Sequence, residues 1–370
     1  MVTVPKCHAP LASYATEPHR RVWTLKRREG SETTMKRSQS TVTAPTAAAK
    51  TEALRIPGIH HVTAISGPAQ QSVDFYADLL GLRTVKQTVN FDDPGTHHLY
   101  YGDRAGTPGT AMTFFPWEQA ARGGPGSGTT AATGFSVPTG SLEFWADRLS
   151  TRGALPGEVV TRFDEESLRC EDPDGLVLEL VAGPATRETP AGQPVHPDVP
   201  AKFAIRAFHG VLLDVLDPEP TARLLTDVMG FEHLGEHDGR LRFKGNEGEV
   251  GSIVDLRSAG SEALAHMGRG SVHHVAFRAR DDDEQQSWRE TIAGAGIGVT
   301  PVKDRCYFRS IYFREPGGVL FEIATDTPGF GIDESPEELG RSLKLPPWLE
   351  ARRDELEARL PRLILPDERP

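Results

Sequence analysis

Ile59-His60-His61-Val62-Thr63 near the start of the chain and Val272-His273-His274-Val275-Ala276 near its end decide how the rest is read. Each sets two adjacent histidines at the head of a β-branched run, the composition of a strand. Successive strand side chains point to opposite faces, so one histidine of each pair is expected to face a sheet's interior. Downstream, Gly317-Gly318-Val319-Leu320-Phe321-Glu322-Ile323 puts a carboxylate on a third strand-like run. Two imidazoles and one carboxylate from three strands make a metal site with open coordination positions. A lone strand histidine is more often a core or surface residue, so the reading rests on the recurrence of the motif.

Around the first stretch a pattern emerges that the chain then repeats. A strand at 59–66 leads to an amphipathic helix, Ser72 to Leu80, with Val73, Tyr76, Leu79 and Leu80 at helical spacing and Gly81 as a stop. Strand-like runs follow near 83–90, 97–102 and 111–116. A second unit runs from Thr133-Gly134-Phe135-Ser136-Val137 through a helix around 141–151 to Leu176-Val177-Leu178-Glu179-Leu180. A third opens at Phe208-His209-Gly210-Val211-Leu212 and closes near Ser252-Ile253-Val254-Asp255, and a fourth spans His273 to Glu322. Units two and four share a turn, Asp172-Pro173-Asp174-Gly175 and Glu315-Pro316-Gly317-Gly318. The pattern predicts an α+β fold of four βαβββ modules. It divides the chain into an N-terminal extension (1–55), a first domain (56–184), a Pro-rich linker (185–205), a second domain (206–328) and a C-terminal tail (329–370).

Composition narrows the function. The 370 residues are 38% hydrophobic and 25% charged, ordinary for a globular protein, and a net charge of -11 gives no basic footprint for nucleic acid. No apolar run approaches the roughly 18 residues of a spanning helix, and the first residues lack the charged-then-apolar order expected of a signal peptide. Cys7, Cys170 and Cys306 form no CxxC pair, in keeping with a reducing compartment. These features predict a cytoplasmic protein with a small-molecule partner. Residues 1–55, rich in Thr, Ala, Ser, Arg and Lys without apolar periodicity, are expected to be disordered. Met35 is an alternative start, and Arg20, Arg21, Arg27 and Arg28 leave a transit peptide as a weaker reading.

The repeated unit resembles the vicinal-oxygen-chelate superfamily, which includes glyoxalase I, bleomycin-resistance proteins and extradiol dioxygenases. The resemblance is greatest to hydroquinone and chlorohydroquinone ring-cleaving dioxygenases. It is carried by Gly58-Ile59-His60-His61-Val62-Thr63, His98-Leu99-Tyr100-Tyr101, Gly106-Thr107-Pro108-Gly109 and Arg206-Ala207-Phe208-His209. Tyr312-Phe313-Arg314-Glu315-Pro316-Gly317-Gly318-Val319-Leu320-Phe321-Glu322 and the tail motif Leu343-Lys344-Leu345-Pro346-Pro347-Trp348-Leu349-Glu350, leading to a helix near 350–360, complete it. The resemblance implies two glyoxalase-like domains and a small aromatic substrate cleaved with dioxygen. It also implies Fe(II), with Mn(II) as the alternative, on His61, His274 and Glu322.

By the same resemblance His60, Thr63, His273, Arg305 and Tyr312 surround metal and substrate. Tyr312 is expected to hydrogen-bond a phenolate or peroxide oxygen, and Arg305 either to attract the substrate's second oxygen or to bridge to Asp304 or a C-terminal acid; for both, an ordinary sheet-edge role is the alternative. His273 is expected to carry a proton, its ordinary pKa being near 6.5. Phe114, Phe115, Trp117 and Phe321 are candidates for an apolar lining and equally for the core, with at least half of them expected in the core, while His97 and His98 have no assigned role. Extradiol enzymes that pair units three and four would take His209 as third ligand; the hydroquinone group pairs units one and four, which selects His61. Were units two and three paired as well, Glu179 and His209 would face each other in a vestigial site, with Thr133 and Gly134 in place of the paired histidines. Thr113-Phe114-Phe115 lies where glyoxalase I has a further carboxylate, which favours oxygen chemistry over isomerisation. A glyoxalase-like lyase or isomerase and a drug-binding resistance protein are the competing readings, and self-association is left open.

Overall fold

The computed structural model describes residues 54–183, 196–245 and 251–369, so the extension through residue 53 and the linker segment 184–195 lie outside the described residues. Unit one comprises β1 (Ile59–Ser66), α1 (Ala69–Val73), β2 (Arg83–Asn90), β3 (Asp93–Gly102) and β4 (Ala111–Pro116). Unit two has β5 (Thr129–Pro138), α2 (Leu142–Thr151), β6 (Val159–Arg162), β7 (Glu165–Glu171) and β8 (Val177–Gly183). Unit three has β9 (Ala207–Val215), α3 (Pro218–Arg223), β10 (Glu232–His237), β11 (Arg240–Lys244) and β12 (Ile253–Ser258). Unit four has β13 (Ser271–Ala279), α4 (Asp282–Gly294), β14 (Lys303–Asp304), β15 (Phe308–Arg314) and β16 (Leu320–Pro328), and a tail helix, α5 (Arg353–Arg359), follows.

These strands build two curled eight-stranded half-barrels. The first, in the order β14-β15-β16-β13-β1-β4-β3-β2, joins units one and four; the second, β10-β11-β12-β9-β5-β8-β7-β6, joins units two and three. The seams are antiparallel, β1 on β13 and β5 on β9. One continuous core, including Phe135, Phe208, Phe277 and Phe321, runs behind both sheets.

The repeat extends to atomic detail. α1 and α3 each continue into a π-helical turn, Asp74–Leu79 and Leu224–Val228. Each is closed by a left-handed glycine, Gly81 (φ 70°) and Gly230 (φ 75°), whose missing Cβ lets the chain reverse. The shared turns of units two and four fold on a buried carboxylate: Asp172 accepts from the amides of Asp174 and Leu176, and Glu315 from those of Gly317 and Val319. Each carboxylate also accepts a hydroxyl from the helical segment of the preceding unit, Tyr76 to Asp172 and Thr221 to Glu315. Buried polar atoms thereby find partners between the two sheets.

Two of the four aromatic candidates fall in the core, as the sequence allowed. Phe114 packs with Tyr76 and Tyr101, and Phe321 with Phe277 and Phe313, so both belong to the core behind the first sheet. The second half of the linker packs on the fold: Val199 and Ala204 are buried and Trp145 Nε1 donates to the Phe203 carbonyl.

The tail seals the edge of the first sheet. Lys86 on β2 is fully buried, and its ammonium donates to Phe330 O (3.2 Å) and Asp333 Oδ1 (2.6 Å) and pairs with Glu334. Further along, Leu345, Leu349, Leu356 and Leu360 cover Val89. Removing one partner of a buried pair strands the other's charge, so Lys86→Met is expected to cost about 3–5 kcal/mol in urea unfolding. Adding Glu334→Leu should restore most of it; an undiminished loss in the double variant would show that the pair is not the source.

Candidate metal centre

Strand register puts the predicted triad together. His61 lies opposite Ala276 on β13, Ala276 beside Glu322 on β16, and Glu322 opposite Tyr312 on β15, one row across four strands. Two rows along the β1–β13 seam, His274 lies opposite Thr63. One nitrogen or oxygen of each of His61, His274 and Glu322 falls within 4.8 Å of the others, and all three residues are buried. Glu322 Oε2 is 2.9 Å from His274 Nε2 and 3.5 Å from His61 Nε2. It is buried with no hydrogen-bond partner. Burial alone would push the Glu322 carboxyl up, but His61 and His274 hold it well below the usual carboxylate range. Two imidazoles converging on a buried carboxylate with an unused oxygen fit a divalent metal.

The expectation that one histidine of each pair turns away is not met. A register irregularity between Ile59 and His61 leaves His60 buried beside its neighbour, and His60 Nδ1 lies 2.9 Å from His61 Nδ1. His273 Nδ1 meets His274 Nδ1 at 2.8 Å in the same way. Burial first, then His61, lowers the pKa of His60, and its ring also bonds the Thr325 backbone. Burial and His274 bring His273 down to about 3, so it is neutral at neutral pH rather than poised there.

Tyr312 is half-buried, and burial followed by Glu322 raises its phenol pKa. Arg305 Nε donates to its hydroxyl at 3.3 Å, while Arg305 Nη2 donates to Asp92 Oδ2 at 3.0 Å on the β2–β3 hairpin. Phe115 and Trp117 stack 5.7 Å apart and stand edge-on to His273, so these two of the four lining candidates border the site. Thr63 is tied to Thr113 (2.8 Å), whose hydroxyl also meets His98 Nε2 (2.9 Å), and His98 Nδ1 meets Tyr100 Oη (2.9 Å). Ser310 donates to Glu322 Oε1. His98, Thr113, Tyr100, Ser310 and Asp92 were not foreseen as part of the site. Period-two spacing from Tyr312 was the signal available for Ser310.

The second sheet shows what the same scaffold does without a metal. Register equates Glu179 with Glu322, Gly210 with His61 and Ala132 with His274, because Gly210 lies opposite Gly134, Gly134 beside Glu179, and Ala132 opposite Leu212. The substitutes for the paired histidines are therefore Ala131 and Ala132, not Thr133 and Gly134. His209 occupies the place of His60. A Cβ on Gly210 would lie 2.3 Å from the Ile253 carbonyl oxygen, so no histidine fits there. Nor does His209 pair with Glu179: its Nε2 meets Glu165 at 3.0 Å, and Glu179 is held by Arg240 through two bonds of 3.1 and 2.7 Å. Arg242 forks onto Asp255 and also pairs with Glu165.

The fold and triad agree with what comparison finds. The model of the Glyoxalase/Bleomycin resistance protein/Dioxygenase superfamily matches residues 58–180 and 207–323. The chain belongs to this superfamily. It is 46% identical over 300 residues to the Bacillus subtilis protein named "Putative ring-cleaving dioxygenase MhqO", covering 81% of this chain and 94% of that one. It is 35% identical over 308 residues to the chlorohydroquinone/hydroquinone 1,2-dioxygenase of Sphingobium indicum, covering 82% and 95%. A crystal structure of a Bacillus subtilis protein titled a putative dioxygenase superposes with a TM-score of 0.80 at 44% identity, over 84% of this chain and 98% of that one. Glyoxalase I of Zea mays shares the fold, with a TM-score of 0.52 at 15% identity over 73% and 92%.

Two outcomes are expected in the second cup. Arg240→Met should cost about 3 kcal/mol by stranding Glu179, while leaving metal content unchanged; a loss of metal would place the binding site there. Burial alone would raise the Glu165 carboxyl, but His209 and then Arg242 hold it at about 2. Its folded value thus lies below an unfolded value of about 4.3. The stability it contributes is present above that pH and is lost as pH falls toward 2. Glu165→Gln should flatten this acid limb in a pH series of melting temperatures; an unchanged limb would rule Glu165 out as its source.

Proposed function

We propose that this chain is an Fe(II)-dependent ring-cleaving dioxygenase acting on a hydroquinone- or catechol-like aromatic. The observation that carries the reading is the convergence of His61, His274 and Glu322 on one buried point where a carboxylate oxygen has no other partner. Its ring-cleaving relatives support the reaction class. His61, His274 and Glu322 would hold the metal, which when bound supplies Lewis acidity toward a phenolic oxygen and redox chemistry with dioxygen. Mn(II) satisfies the same donor set.

The surrounding residues prepare these ligands. His60, kept neutral by burial, donates one ring N–H to the Thr325 backbone, so its Nδ1 is left as an acceptor. His61 then donates Nδ1–H to it and turns a bare Nε2 toward Glu322. The outer histidine thus sets the tautomer and ring angle of the inner one. Ser310 occupies Glu322 Oε1 and leaves Oε2 for the metal. Arg305, braced by Asp92, directs its guanidinium at the Tyr312 hydroxyl, so this phenol is held ready to donate to a substrate oxygen. Thr113 stands on the cup face of β4, and no carboxylate beyond Glu322 joins the cluster among the described residues, which favours this reading over a glyoxalase-type isomerase.

Anaerobic iron loading followed by metal analysis and oxygen uptake against hydroquinones and catechols tests the proposal. His274→Ala and Glu322→Ala should each lose tight iron binding, since one of three protein bonds disappears; wild-type iron content in either would sink the assignment. His61→Ala should lose the metal and His209→Ala keep it, and the reverse pattern would move the site to the other sheet.

Tyr312→Phe should keep its iron and lower single-turnover oxygen consumption with saturating hydroquinone by about 10²-fold, the scale of one general-acid contribution. An unchanged rate would leave the phenol a packing role only.

A further inference from the structure

A further histidine stands beside the triad without joining it. His98, half-buried on β3, points into the first cup, because Tyr100, two residues on, lies opposite Thr113 in the row that continues through Thr63 to His274. Burial, then His61 and His274, lower its pKa well below the ordinary 6.5, so the ring is neutral and has one nitrogen lone pair. The second cup shows where a side chain from this position goes. Arg242 lies opposite Asp255 and Asp255 beside Leu212, the places of Tyr100, Thr113 and Thr63, so Arg240 stands for His98. Arg240 passes Asp255 at 3.8 Å and ends on Glu179, the counterpart of Glu322. The position is aimed at the carboxylate, and in the first cup it is aimed at the point where His61, His274 and Glu322 converge.

His98 is held short of that point by its neighbours. Its Nε2 meets Thr113 Oγ1 at 2.9 Å and its Nδ1 meets Tyr100 Oη at 2.9 Å, while Thr113 is itself fixed to Thr63 at 2.8 Å. Whichever nitrogen bears the proton, its N–H donates to one hydroxyl and the lone pair of the other nitrogen accepts from the second. The ring is wedged as well, its centroid 4.2 Å from that of Tyr100 and 4.4 Å from that of Phe115. A third imidazole on the metal would close one of the positions needed by substrate and dioxygen. We propose that Tyr100 and Thr113 are positioning residues that keep His98 out of the metal's coordination shell and so leave the three-residue site open. This rests on the reading of His61, His274 and Glu322 as the metal ligands.

Proton NMR of the full-length protein loaded with cobalt(II) tests this, because each coordinated imidazole gives a strongly shifted, solvent-exchangeable N–H signal. The wild type should show two such signals, from His61 and His274. The double variant Tyr100→Phe, Thr113→Val removes both hydroxyls while keeping side-chain volume, and should show three. In competition with a chelator it should bind cobalt at least about tenfold more tightly, the reverse of the roughly 10–100-fold weakening that follows loss of an ordinary outer partner. A merely structural role for the two hydroxyls would not produce that change of sign. Adding His98→Phe to the double variant should return the count to two and remove the gain, which identifies the third imidazole as His98. If the double variant does not fold, Tyr100→Phe alone carries the same expectation. Two signals in a folded variant that binds cobalt, or three in the wild type, would overturn the proposal. A wild type that takes up no cobalt would overturn the ligand assignment beneath it as well, an outcome distinct from cobalt held by two imidazoles in both proteins.

Discussion

Glu322 is ionised with no exposed surface, and a charge in that position has to be compensated from within the protein. Much of the first half-barrel serves this need. β1 and β13 bring imidazoles to the carboxylate, β15 brings the Ser310 hydroxyl, and a second histidine braces each inner one. The second half-barrel meets the same constraint at Glu179 with a fixed organic cation, the Arg240 guanidinium reaching across from β11. One cup thus keeps its carboxylate for an exchangeable ion and the other neutralises it permanently. Comparing them isolates what the site requires: two histidines, and a backbone with space for a side chain where Gly210 has none; the serine is common to both, since Ser167 stands in the second cup where Ser310 stands in the first.

Local structure was the most legible part of the chain. β1, β2 and β4 begin and end where the β-branched runs and their Gly, Pro and Asp punctuation place them. α1 starts at Ala69 rather than Ser72, because Pro68 supplies its N-terminal boundary and apolar spacing marks only its buried face. β3 begins at Asp93, before its apolar run, because pairing with β2 continues into a polar hairpin. Neither π-helical turn has a periodic signature, since a single wide turn disturbs the helical repeat too little to read. Periodicity carries no information about which units share a sheet; only the family resemblance distinguished pairing one with four from pairing three with four.

The site was legible as motifs and illegible as geometry. The repeated His-His pair and the terminal glutamate stood out because such residues are unusual in apolar strands. The second cup was misread by two residues because Ala131 and Ala132 are featureless, and only the hydrogen-bond register reveals whose places they take. Asp92 escaped notice because its partner Arg305 is distant in sequence, and ion pairs between distant loops leave no local pattern. The outer histidines were expected to face away by strand alternation, a rule that two register irregularities, one at His60 and one at His273, suspend.

The pairing of units one and four has a consequence for the order of assembly. Units two and three are adjacent in the chain, so their half-barrel forms from contacts that become available midway through synthesis. The metal-binding half-barrel instead closes a much longer loop, bringing β1 against strands that are synthesised after both central units. His61 therefore waits, on an unpaired edge, while most of the chain is made. The half that neutralises its own charge can serve as the template on which the later half closes, and the chain acquires its capacity for a metal only at the final stage of folding.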